Sequence, residues 1–392
     1  MKKFFSEEPK IDLVGRIGLF ARGSGAVVSI SLLLLVFKGL NFGIDFAGGY
    51  EIQAKFPTKV TETEIKSALT PVLPEEPRVQ RFGPESANEY LILIREQGTI
   101  PAEQKAAIKK DFEALAGSID NLKNWAMAES GESITVGFGS PTDEKSVRDI
   151  VTKYGFTIKD VTRGDREDQP EYNVRIVSLS DHVEGALRKA QGVPDSEKIV
   201  NRVEFVGPQV GAELRNQGIM AIIYALGFIL LYIAIRFDLA FAPGAVLALI
   251  HDVIITMGVF ALFGLEFNLP IIAAILAIVG YSLNDTIVVY DRIRENALRY
   301  RGRGLRDLVN TSLNQTLSRT VLTSATTMLV VLALLFFGGG IIRDFSIALA
   351  IGIMVGTYSS IAIASPAYIL LRERSEQNQG TAKKAKSATA AA

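Results

Sequence analysis

The run from Leu269 to Tyr290 is apolar almost throughout and carries a single carboxylate, Asp285. Holding an ionised acid at the centre of a bilayer costs about 2.5–3.5 kcal/mol on insertion scales, and a chain that retains one there typically uses it to take up and release an ion or a proton. At helical spacing, Tyr281, Asn284, Asp285 and Val288 share one face. The next apolar run carries Thr316, Arg319, Thr320, Thr323 and Thr327 at the same period. If that helix starts near Gln315, Arg319 reaches a depth similar to that of Asp285. A carboxylate that pairs with Arg319 and then releases it is a two-state switch, so Asp285, Arg319 and Asn284 are the candidate proton relay; a static ion pair is the competing reading. His251 and Asp252 open another apolar run just after Pro243. With Thr323 they are accessory candidates, although capping or snorkelling at the interface would also account for them.

These residues need helices to position them. A bilayer-spanning helix needs about 20 mostly apolar residues, and six segments qualify: 20–40, 217–235, 244–264, 269–290, 316–338 and 345–371. The basic residues Lys2, Lys3, Lys10 and Arg16 precede the first, and no small-residue cleavage motif follows it, so it reads as an uncleaved anchor. Arg292, Arg294, Arg299, Arg301, Arg303 and Arg306 follow the fourth span, and Arg372, Arg374, Lys383, Lys384 and Lys386 follow the sixth. By the positive-inside rule both termini are cytoplasmic. The expected organisation is therefore a cytoplasmic N-terminus (1–19), a first span (20–40), an external domain (41–215) and five further spans (216–371). A cytoplasmic loop (291–315) interrupts those spans, and a disordered tail (372–392) ends the chain. The Arg-rich loop suits either anionic lipid or plain solvent.

The 392 residues contain no cysteine, which excludes disulfides, thiolate metal sites and cysteine nucleophiles. A formal net charge of +0 gives no reason to expect a nucleic-acid partner. No nucleophile–base pair, Gly-rich phosphate loop or metal-ligand cluster is visible, so neither an enzyme nor a metal or organic cofactor is expected; His182 reads as a surface residue.

The external domain contains an apparent repeat. Glu51–Phe56 and Ser133–Phe138 alternate as strands. Helices follow at Thr61–Leu69 and Asp143–Lys153, then strands at Arg78–Phe82 and Phe156–Val161, and Glu-Tyr opens a strand at both Glu89 and Glu171. Each unit reads as β-α-β-β plus a following helix (101–116 and 181–191), with a closing strand at Arg202–Val206. The expected units are about 50–130 and 131–206, an α+β arrangement, ferredoxin-like and duplicated.

Four stretches carry a resemblance to SecF in the SecD/SecF family of protein-export membrane subunits. They are Phe42–Gly49, with Gly43, Asp45, Gly48 and Gly49; Val203–Gly211, with Gly207, Pro208 and Gly211; His251–Thr256; and Gly280–Asn296. The start of the fifth span, Ser318-Arg319-Thr320, also fits. Ala47 stands where the family usually has Thr, and the outer domain is longer than the single small unit the family implies. The resemblance implies kinship with the proton-driven resistance-nodulation-division transporters and a place in the bacterial inner membrane. It further implies partnership with SecD, the SecYEG channel and a translocating polypeptide, with protons as coupling ion. It maps the family's membrane carboxylate onto Asp285 and its arginine onto Arg319. An exporter of small molecules or lipids and a passive scaffold of the translocon remain open alternatives.

Overall fold

The computed structural model describes residues 10–375 and 377, apart from 74, 83–84, 96–99, 165–168, 195–196, 238–239 and 301. The chain opens with helix α1 (Ile17–Phe37) and the short strand β1 (Asn41–Phe42). An α+β unit follows: α2 (Ile44–Ala47), β2 (Gly49–Lys55), α3 (Glu62–Leu69), β3 (Arg78–Phe82), β4 (Glu89–Ile94), α4 (Ala102–Ala116), β5 (Leu122–Met127), β6 (Ser133–Phe138), α5 (Glu144–Lys153), β7 (Ile158–Arg163), β8 (Glu171–Ile176), α6 (Leu179–Gln191) and β9 (Val200–Val206). Five long helices and a two-residue strand follow: α7 (Pro208–Arg236), α8 (Ala242–Phe263), β10 (Glu266–Phe267), α9 (Leu269–Arg299), α10 (Leu305–Phe337) and α11 (Gly340–Ser359). A π-helical turn, Ser360–Ala364, follows α11, and the helix runs on to Ser375. The compact units are residues up to Gly43 with those from Asn216 onward, and Ile44–Arg215.

Two four-stranded antiparallel sheets build the α+β unit, in the orders β3-β4-β2-β9 and β5-β6-β8-β7. The repeat is visible in corresponding side chains. Tyr90 donates its hydroxyl to the Val60 carbonyl just before α3, and Tyr172 donates to the Thr142 carbonyl just before α5. Each ring sits edge-on to a phenylalanine, Phe56 at 5.8 Å and Phe138 at 6.3 Å. Thr61 caps α3 in a reciprocal box with Glu64, as its sequence spacing predicts, whereas Asp143 makes no side-chain cap on α5.

The units are not contiguous in the way the sequence reading divides them at residues 130 and 131. α4, expected to complete the first unit, buries Ile108, Phe112 and Ala116 in the core of the second sheet. α6, expected to complete the second, buries Val183 and Leu187 in the core of the first, and β9 pairs with β2. The segment α4–β8 is thus inserted between β4 and α6. An apolar helix face shows that a helix must cover something but not which sheet it covers, because two cores of the same kind offer it the same transfer energy. β5 was absent from the sequence reading. A register irregularity between Leu122 and Asn124 breaks the period-two alternation that marks a strand. Lys159 on β7 pairs with Asp181 on α6, tying the inserted segment to a helix of the first sheet. Nearby, burial and then the Asp181 charge hold the Glu132 carboxyl above its ordinary range.

This exchange has a direct consequence. Phe112→Ala removes a fully buried ring in tilted contact with Trp125 and is expected to destabilise its core by about 3–5 kcal/mol. Hydrogen exchange should then accelerate in β5–β8, while Leu187→Ala should accelerate it in β2, β4 and β9. The opposite pattern would restore the contiguous division.

Six helical segments among the described residues are long and apolar enough to cross a membrane, and with the fold they make this a multi-pass membrane protein with an α+β domain. α8 and α9 are about half buried, whereas α1, α7 and α10 are largely open, with Phe37, Phe228 and Phe337 at 83%, 71% and 91% exposed, as befits surfaces meeting hydrocarbon or another apolar partner. The expected loop 291–315 is instead mostly helical, with α9 running to Arg299 and α10 starting at Leu305 to make a hairpin. Ile293, Leu308, Val309 and Leu313 are buried together, and Asn296 Nδ2 donates to Ser312 Oγ (2.8 Å) and Gln315 Oε1 (2.9 Å). These contacts tie together two helices in a segment that reads as a basic loop. At the other end, 372–375 is helical rather than disordered, and 378–392 lies outside the described residues.

Candidate functional site

Asp285 is buried, at 2% exposure, on α9. It lies fourteen residues before the last of α9, Arg299, and Arg319 lies fourteen after the first of α10, Leu305. The hairpin therefore sets both at about 21 Å from its turn at 1.5 Å per residue. The sequence reading starts this helix near Gln315, whereas α10 begins ten residues earlier. Arg319 is close enough for its charge to act on Asp285, and Ser324 on α10 neighbours the carboxylate. No salt bridge joins the two among the described residues, and Arg319 lies on an exposed face of α10.

The other candidates separate. Asn284 is exposed on α9 and does not share the enclosure of Asp285. One residue is a 100° step around a helix, enough to carry Asn284 from the packed stripe to the open one. Thr323 donates to the carbonyls of its own helix, Arg319 (3.0 Å) and Thr320 (3.0 Å), as do Thr316 and Thr327 one turn back each. Much of the threonine stripe is thus satisfied locally. Thr320 differs: it is buried, and its Oγ1 has no partner among the described residues. Thr286 Oγ1, Tyr281 Oη and Asp285 Oδ2 are orphaned in the same way.

His251 and Asp252 are not at a helix entrance. α8 begins at Ala242, so they lie mid-helix, at 6% and 1% exposure. His251 Nδ1 is 2.9 Å from Asp252 Oδ1. Asp252 Oδ2 accepts from Ser282 Oγ on α9 (2.6 Å) and Ser359 Oγ on α11 (2.7 Å). Glycines allow this approach: a Cβ at Gly356 would meet Ser282 Cβ at 2.9 Å, and one at Gly352 would meet Ile278 at 2.2 Å. Ser324 Oγ bonds Thr357 Oγ1 (2.6 Å) between α10 and α11. Ser282, Ser324 and Ser359 escaped the sequence reading. Their signal was available in that Ser282 stands three residues before Asp285, on the same side of the helix.

The Gly-rich motifs of the α+β unit meet each other. A Cβ at Gly48 would lie 2.9 Å from Pro208 Cα, and one at Gly211 would lie 3.1 Å from the Phe46 carbonyl. Gly207 accepts the Gly211 amide at the start of α7. Gly43, in the other unit, donates its N–H to the Phe267 carbonyl beside the β1–β10 pair. Asp45 falls in the first turn of α2. On the second sheet Lys123, Asn124, Thr162, Arg163 and Asn173 line a polar cleft of about 760 Å³. No cluster of three or more potential metal ligands occurs among the described residues.

With this geometry in place, residues 187–374 match the family described as protein export membrane protein SecD/SecF, C-terminal, and residues 33–57 match the SecD/SecF GG motif. The chain is similar to the protein translocase subunit SecF of Calditerrivibrio nitroreducens, with 37% identity over 372 residues, 94% of this chain and 97% of that protein. To the SecF subunit of Pseudomonas aeruginosa it is 47% identical over 251 residues, 63% of this chain and 80% of that one. The crystal structure of SecDF, a translocon-associated membrane protein from Thermus thermophilus, superposes with a TM-score of 0.58 at 33% identity. That match covers 93% of this chain and 39% of the longer one, so the chain spans about two fifths of that protein's length.

Proposed function

The chain belongs to the SecD/SecF family as a SecF-type subunit of the protein-export machinery, and from that membership we propose that it couples proton movement through Asp285 to polypeptide export. The observation that carries this reading is an enclosed carboxylate with one oxygen lacking a partner among the described residues, at the same distance from the hairpin turn as a guanidinium not paired to it there. A static ion pair would have closed both groups against each other. The open arrangement leaves Asp285 able to accept a proton at Oδ2 and leaves Arg319 turned toward a surface that a second subunit would cover. In this mechanism, deprotonation draws the Arg319 guanidinium to Asp285, and protonation releases it. α9 and α10 shift with that cycle, and the external domain changes its grip on the emerging chain. SecD supplies the covering helices, SecYEG the channel, and both termini of this chain lie on the cytoplasmic side of the bacterial inner membrane. The resemblance to SecDF supports the SecD pairing, and the distribution of arginine supports the orientation.

Infrared difference spectra of the subunit assembled with its SecD-type partner in membranes test the proposal. A carboxylic acid C=O band that appears on acidification and is missing from Asp285→Asn is expected. An Asp285 that keeps one ionisation state across the working cycle would overturn it.

A further inference from the structure

We infer that His251 and Asp252 form a second proton-binding site in the membrane unit, with His251 Nε2 as the atom that takes the proton. This inference rests on the proton-coupling reading of Asp285 for its purpose but on separate atoms for its geometry. A carboxylate can only accept hydrogen bonds, so the 2.9 Å contact makes His251 Nδ1–H the donor to Asp252 Oδ1. The two serine hydroxyls fill Oδ2. Ionised, Asp252 therefore accepts from three groups. With Nδ1 carrying the hydrogen, Nε2 of the neutral ring presents a bare lone pair. That atom is buried and has no partner among the described residues.

The neutral ring leaves this pair with an uncompensated buried negative charge, an arrangement proteins avoid. Binding a proton at Nε2 converts it to imidazolium–carboxylate, with no net charge and no bond broken. The groups facing the pair do not supply that compensation. From α11 come Ser359 and Tyr358, whose ring lies 6.3 Å from the imidazole. The Tyr358 hydroxyl is engaged with Ser24 Oγ on α1 (2.8 Å). α9 offers Ser282 and, three residues on, the acid Asp285. The nearest cation on α1 in sequence, Arg22, is exposed and donates to the Gly18 carbonyl of its own helix.

The site is built to report its charge. Ser282 belongs to the helix that carries Asp285, and Ser359 immediately precedes the π-helical turn Ser360–Ala364. π-turns often mark functional sites within helices. When the imidazole is charged, Asp252 binds it more strongly and the two serine bonds weaken, loosening α9 and α11 from α8 together.

The chain has two histidines, and His182 is exposed on α6, so histidine-selective labelling gives an internal reference. Nitrogen-15 spectra of the assembled complex in nanodiscs, with His182→Gln used for assignment, read the ring directly. The expected result is conversion of His251 between neutral and charged forms within the pH 5–9 window. Asp252→Asn, which retains an acceptor oxygen but no charge, should abolish the charged form. A His251 locked in one ionisation state over that whole window overturns the inference. The measurement separates the two readings. Titration of His251 that persists in Asp285→Asn establishes this site independently of the relay. Silence at His251 with export lost in Asp285→Asn refutes this site alone.

Discussion

Asp285→Asn is expected to abolish the proton-dependent component of export while the subunit still assembles in the membrane. Asparagine occupies nearly the same volume as aspartate and keeps a carbonyl oxygen, so the packing of α9 against α10 and α11 is retained. The charge is what disappears. Because Asp285 is 2% exposed and one of its oxygens makes no hydrogen bond within the described protein, the substitution leaves few broken contacts to destabilise the fold. A structural role for the carboxylate would make the same change lower the yield of assembled complex. The decisive comparison is export of a secreted protein into inverted or right-side-out vesicles with and without a proton gradient. The wild-type protein should show a gradient-stimulated increment, and the variant should show none at equal membrane abundance. Persistence of that increment in Asp285→Asn would remove Asp285 from the mechanism. Reduced abundance with an intact increment per complex would make the subunit a scaffold.

The contrast between Asp285 and Asp252 shows what could be read from the sequence. Asp285 stood out because it is the one charged residue between Leu269 and Tyr290. Asp252 was placed at an interface because Pro243 suggested a nearby helix start. The start was right, but nine residues of helix separate Ala242 from His251, enough to carry the pair about 13 Å inward. Whether an acid is enclosed depends on the neighbouring helices, and periodicity along one helix does not contain them. Serine behaves similarly. Ser282 and Ser359 look like small packing residues until the glycines at 352 and 356 bring α11 against α9. Strand and helix boundaries in the α+β unit were mostly legible, with β3, β4, β6 and β8 falling where alternation predicts them. The assignment of α4 and α6 to sheets was not, because it depends on the path of the chain between cores. Arg319 was legible by type and depth; its outward orientation was not, since a helix stripe shows which residues align and leaves open which neighbour they face.

Gly49→Ala is expected to break the first sheet, with an effect far larger than the same change at Gly39. Both glycines have positive φ, +131° and +73°, so each substitution carries a backbone penalty of about 1–3 kcal/mol. Space separates them. Nothing lies within 4 Å of a Cβ at Gly39, whereas a Cβ at Gly49 would lie 2.2 Å from the Ile94 carbonyl oxygen. That oxygen belongs to β4, which pairs with β2 from Tyr50↔Ile94 onward, and β2 also pairs with β9 from Gly49↔Val206. Relieving the overlap therefore moves the central strand away from a neighbour and disturbs the register on both sides. Gly48→Ala should fall between them, since its φ is +78° and its Cβ would press on Pro208 at 2.9 Å. Melting temperature and hydrogen exchange in β2, β4 and β9 should rank the three variants as Gly39, Gly48 and Gly49 in rising damage. Export should fail in the last because the α+β domain loses its first sheet. Equal stability of Gly39→Ala and Gly49→Ala would show that the close approach of β2 to β4 at Ile94 is not what this glycine pair is for.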